Sequence, residues 1–205
     1  MLKKKDNILI HILDELLQTE DYFLKRKRLK ELLTEDAEAR VFELISFAIL
    51  KNHYKNTKVY FGYSRDTVEE VKLELYKTGR TNANDGGIDF VMRPIGRFFQ
   101  VTEVNNYDKY LLDIDKVMHF PVSFVIKTKQ SKEEVLNALE EYIAVRSGGM
   151  AVLETRYRKA IEEIITINEL SVWIGELEDV DIDGMIRDID IYYRLEMNMD
   201  VDEEE

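Results

Sequence analysis

Asp85-Gly86-Gly87-Ile88-Asp89-Phe90, then Arg93-Pro94-Ile95-Gly96-Arg97, then Phe98-Phe99-Gln100-Val101-Thr102-Glu103 reads as two strands folded about a turn. Pro94 presets φ and Gly96 tolerates positive φ, so the middle segment reverses the chain. The fold-back brings Asp89 beside Gln100 on the neighbouring strand. A carboxylate and a second oxygen ligand on adjacent strands suit a hard cation such as Mg²⁺. The Gly86-Gly87 pair lets backbone approach closely beside the acid. A hard cation next to an open groove is the equipment of metal-assisted phosphodiester hydrolysis. The bland reading of Asp89 is an exposed hairpin acid, and of Gln100 a solvated strand residue.

Asp-Gly-Gly-Ile-Asp, a hairpin, and an apolar strand ending in Gln100-Val101-Thr102 resemble the core of the PD-(D/E)XK nuclease superfamily, in its Mrr-like and type II restriction endonuclease branch. The resemblance spans residues 36–146. It takes in Glu43, within an apolar helix where that branch places a helical glutamate, a later strand over 120–127, and a helix over 131–145. It implies a restriction-endonuclease-like α/β sandwich, a central mixed sheet flanked by helices, and metal-dependent cleavage of double-stranded DNA. It also implies a homodimer and Mg²⁺ (or Mn²⁺) held by Asp89, Gln100 and the Val101 carbonyl, with Glu43 completing the shell. The family motif carries a lysine where this chain has Thr102. That lysine's work would fall to Glu103, to Lys127 or to a metal-bound water. The alternative is a non-catalytic interaction or regulatory module on the same scaffold. Alternation along the strand points Glu103 away from Gln100 and Thr102.

A chain of 205 residues suffices for one sizeable domain, and 45% hydrophobic with 34% charged residues describes a globular chain. We divide it into an N-terminal helical segment (1–35), the nuclease-like core (36–148) and a C-terminal extension with an acidic tail (149–205). No apolar run approaches a membrane span. Asp14 and Glu15 interrupt the N-terminal segment, which argues against a signal peptide, so a cytoplasmic location is expected. The lack of cysteine removes disulfides and thiolate zinc sites, and the three histidines are scattered. The net charge of −12 opposes DNA binding, which needs phosphate neutralisation. The acids are concentrated after residue 174, however, while Lys25-Arg26-Lys27-Arg28 is basic. Arg93 and Arg97 at the hairpin turn and Lys129 beyond the later strand are candidate phosphate contacts, or else solvated ends.

Apolar spacing predicts helices over 7–17, 22–33, 36–53, 108–118 and 132–145, the last opened by Ser131 with Glu134 in a capping box. Strands are expected over 58–63 and 121–127. Residues 68–76 fit either helix or strand, 155–166 read as helix, and 170–177 as strand. Asp179, Asp181, Asp183, Gly184 and Asp190 match an EF-hand loop in part. Arg187, and Asp190 where glutamate is usual, weigh against it, and a turn with alternating acids explains the same residues.

Overall fold

The computed structural model describes residues 2–79, 88–103 and 106–199. Asp85, Gly86 and Gly87 of the opening motif lie outside them. Three helices begin the chain: α1 (Leu2–Gln18), α2 (Tyr22–Leu32) and α3 (Ala39–Tyr54). Asp21 caps α2, its side chain accepting from the Leu24 N–H. Helix α3 buries nearly every residue from Phe42 to Leu50. A helix apolar all round belongs between layers, and α3 lies between the sheet and the C-terminal helices.

The ambiguous stretch over 68–76 resolves as two strands. β1 (Lys58–Phe61) pairs antiparallel with β2 (Glu69–Lys72) in a separate two-stranded ribbon. Gly62 is required there, since a Cβ would stand 2.5 Å from the Thr67 carbonyl oxygen. β3 (Glu74–Lys77) enters the main sheet, followed by β4 (Phe90–Arg93), β5 (Arg97–Thr102), α4 (Tyr107–Lys116) and β6 (Val122–Ile126). Gly96, at φ 69°, closes the β4–β5 turn.

Helix α5 (Lys132–Arg146) has the expected capping box, Ser131 accepting from the Glu134 N–H and Glu134 from the Ser131 N–H. It ends at Gly148 and Gly149, both at positive φ. Two expectations then reverse. The stretch over 155–166 divides into α6 (Ala151–Ala160) and β7 (Ile161–Thr166), and 170–177 lies in α7 (Ile167–Glu176) rather than a strand. Ile161, Ile164 and Ile165 are β-branched and pair with β6, which overrides the helical pattern. Ile167, Leu170 and Ile174 are buried at helical spacing, and Thr166 with Glu169 forms a capping box.

Helix α8 (Asp179–Glu196) occupies the EF-hand-like stretch. The alternating acids, read as a loop or turn, sit on a helix whose Ile182, Met185, Ile186, Ile189 and Tyr193 are buried. Its acids meet lysines and an arginine instead of calcium: Asp183 pairs with Lys25, Asp181 with Lys55, Asp179 with Arg26 at 2.8 Å and Asp188 with Lys51 at 2.8 Å.

The main sheet has the order β3-β4-β5-β6-β7, antiparallel through β5 and parallel from β5 to β7. One face carries Leu75, Phe90, Met92, Phe99, Val125 and Ile165 against α1, α3, α7 and α8 in one core. The other carries Val122, Phe124, Ile126 and Ile164 against α4, α5 and α6. This is a three-layer α/β arrangement with a mixed sheet. No described helix is long and apolar enough to cross a membrane.

Candidate functional site

Because β5 and β6 run parallel, their C-terminal ends lie together, and Asp89 enters β4 at that same end. Asp89 continues the ladder through its backbone: its N–H donates to the Phe99 carbonyl (3.0 Å) and its carbonyl accepts from the Thr78 N–H (3.0 Å). Its side chain also enters the sheet, Oδ2 accepting from the Val101 N–H at 2.7 Å. A carboxylate oxygen thus serves a β5 donor that faces β4. Burial pushes the Asp89 carboxyl up to about 7, and the charges of Glu43 and Asp113 act in the same direction. The Val101 N–H and Lys109 oppose that rise.

Gln100 adjoins this carboxylate on β5 and is only 5% exposed. Its Nε2 donates to the Val101 carbonyl at 3.3 Å, so that oxygen, a candidate ligand, already accepts one hydrogen bond. Its Oε1 is buried with no donor among the described residues. Thr102 is also buried, and its hydroxyl has no partner among the described residues.

Glu43 reaches the site from α3, and its charge is felt at Asp89. Its Oε1 lies 2.9 Å from the Lys77 Nζ, which stands 3.1 Å from the Glu196 Oε1 of α8. The helical glutamate therefore belongs to a buried chain of alternating charges. Lys77 gave no signal in the sequence, since its partners lie 34 and 119 residues away.

Glu103 and Lys127 meet as neighbours at the ends of β5 and β6, with Nζ 2.7 Å from Oε1. The Lys127 hydrogen bond holds the Glu103 carboxyl below its usual range. Lys127 also donates to the Ala37 carbonyl at 2.9 Å, just before α3. Gln100 and Thr102 pair in register with Phe124 and Ile126, which face α4 and α5. Strand alternation thus separates Glu103 from Gln100, as the pattern predicts.

The arginines fall elsewhere. Met92 pairs with Arg97 beside the turn, so at about 3.3 Å per residue β4 separates Arg93 from Asp89 by roughly 13 Å of strand and Arg97 by roughly 10 Å. Arg97 is also committed inward: it donates to Ser123 Oγ (3.0 Å) and Tyr54 OH (3.2 Å) and pairs with Glu163. Arg93 is exposed and lies over the Tyr76 ring, 5.5 Å from its centroid. Lys129 is exposed beyond β6, at the same end as Asp89, and its backbone N–H donates to Glu35 at 2.9 Å. Lys109, in the first turn of α4, is a further cation at that end.

The basic run of α2 is largely paired. Lys25 is 2% exposed against Asp183, Arg26 meets Asp179, and Arg28 meets Glu31 at 3.1 Å. Sequence reasoning also missed Asp113. It lies on the buried face of α4 between Tyr110 and Ile114, and an acid at that helical spacing was the available signal.

Among the described residues no three histidine, aspartate or glutamate side chains converge as a metal-binding group. Comparison with family models, curated proteins and solved structures returned no significant match.

Proposed function

We propose that the chain is a metal-dependent DNA endonuclease with a restriction-endonuclease-like fold of the PD-(D/E)XK type. The observation that carries this reading is the pairing of Asp89 with β5 beside Gln100, whose buried side-chain oxygen has no donor among the described residues. The element order supports it: after the Glu43 helix and the β1–β2 ribbon come a three-stranded antiparallel unit, a helix and a parallel strand. An unpartnered amide oxygen next to a carboxylate fits a hard cation, which takes oxygen ligands.

Asp89 and Gln100 would hold Mg²⁺ or Mn²⁺. When bound, the cation supplies Lewis-acid polarisation of the phosphate and a more acidic water. Glu103, kept ionised by Lys127, stands at the same strand end on the opposite sheet face, so a metal-bound water is left to carry the missing lysine's task. Lys129 and Lys109 would meet backbone phosphates there, as position-setting rather than sequence-reading contacts. Double-stranded DNA is the proposed substrate, and a homodimer the proposed assembly.

The test is digestion of plasmid and phage DNA with Mg²⁺ or Mn²⁺, wild type beside Asp89→Ala. Discrete fragments from the wild type alone are expected. Equal cleavage by both proteins would remove Asp89 from the reaction.

A second reading, a non-catalytic module on this scaffold, rests on Thr102 and on Lys127, whose ammonium is spent on Glu103 and the Ala37 carbonyl. It predicts folded wild-type protein that neither cleaves DNA nor binds Mn²⁺.

A further inference from the structure

On β5 and α4, three buried side-chain oxygens have no hydrogen-bond partner among the described residues: Gln100 Oε1, Thr102 Oγ1 and Asp113 Oδ2. Gln100 and Thr102 sit in register with Phe124 and Ile126, on the sheet face that α4 covers. Tyr110 of α4 stacks on Phe124 with ring centroids 4.9 Å apart. Asp113 is one helical turn further on the same face and 1% exposed. Its Oδ1 is held by Lys116 at 3.0 Å, which leaves Oδ2 without a partner. Asp113 thus belongs to the buried face of α4, on the side of the sheet that carries Gln100.

Leaving a buried acceptor without a partner is destabilising, and more so when it is charged. Gln100 Oε1 and Asp113 Oδ2 are both acceptors, and Asp89 adds a second carboxylate. A hard divalent cation satisfies all of these groups, since it takes only oxygen ligands and commonly one or two carboxylates.

We infer that Asp113 is a ligand, with Asp89 and Gln100, of a divalent cation held between β5 and α4. The inference rests on the metal-dependent reading above and moves the third ligand from α3 to α4. Glu43 then serves to hold Lys77 and, through it, Glu196 of α8.

The test is Mn²⁺ binding to the full chain at pH 8, read from the electron paramagnetic resonance signal of free Mn²⁺. Wild type should bind one ion. Asp113→Asn and Asp89→Asn should each weaken binding about tenfold or more, at least what removing a supporting partner costs a metal site. Asp115→Asn, an exposed carboxylate on the same helix, should bind as wild type. Asp113→Ser gives a second variant should Asn disturb folding, and thermal melts confirm that each protein is folded.

Wild-type affinity in folded Asp113→Asn overturns the assignment, as does a loss confined to Glu43→Gln. DNA cleavage by the wild type alongside unchanged Mn²⁺ affinity in Asp113→Asn removes Asp113 and leaves the endonuclease reading standing. Folded wild type that binds no Mn²⁺ removes both.

Discussion

Asp89 is the residue where structure and chemistry meet. Its carboxyl is pushed from 3.8 to about 7, first by burial and then by Glu43 and Asp113. The folded chain therefore binds more protons than the unfolded chain between those values, and stability falls as pH rises through that window. Asp89→Asn abolishes this loss while keeping an oxygen for the Val101 N–H. The variant should gain on the order of 2 kcal/mol over wild type at pH 8, a gap that closes as pH falls towards 4. Urea titrations across pH check it, and parallel pH profiles for the two proteins would sink the argument. Mn²⁺ at pH 8 should restore stability to the wild type alone, because a bound cation favours the ionised carboxylate.

Among the elements, helix α5 and strand β7 show what local sequence can and cannot decide. Ser131 and Glu134 satisfy orphan amides at the start of α5 from residues three apart, so the cap was legible. Ser131→Ala should cost about 1 kcal/mol in urea unfolding, with no change in Mn²⁺ affinity. A loss below the error of the titration would mean that the cap contributes nothing. The run Ile161–Thr166 misled, because its identity as a strand depends on pairing with β6, 39 residues earlier at Val122 and Ile161. Residues 170–177 misled for the opposite reason. They read as a strand, while the Thr166–Glu169 box just upstream sets a helix.

The whole molecule is organised by α8. Its buried stripe shares a core with α1, α3 and the sheet, and its acids meet lysines and an arginine of α2 and α3. These pairs take one cation for every anion, so the net charge of −12 is undiminished, and those bases of α2 and the α3 end are committed to α8. Ile189 is fully buried in this layer. Ile189→Ala should cost about 2–5 kcal/mol in one cooperative transition. A small early transition that leaves the sheet intact would instead show that α8 unfolds by itself.

By itself the sequence determined the hairpin, its turn, the capped helix α5 and the placing of Asp89 beside Gln100. Each depends on residues close along the chain, where steric preference and alternation suffice. Only the tertiary structure decided that Glu43 meets Lys77, that Arg97 turns inward to Glu163, and that the Asp179–Asp190 acids form a helix paired to lysines. It also decided that Asp113 is buried on the face of α4 that covers the sheet. Those pairings join segments remote in sequence, and burial of a shared apolar core brings them together.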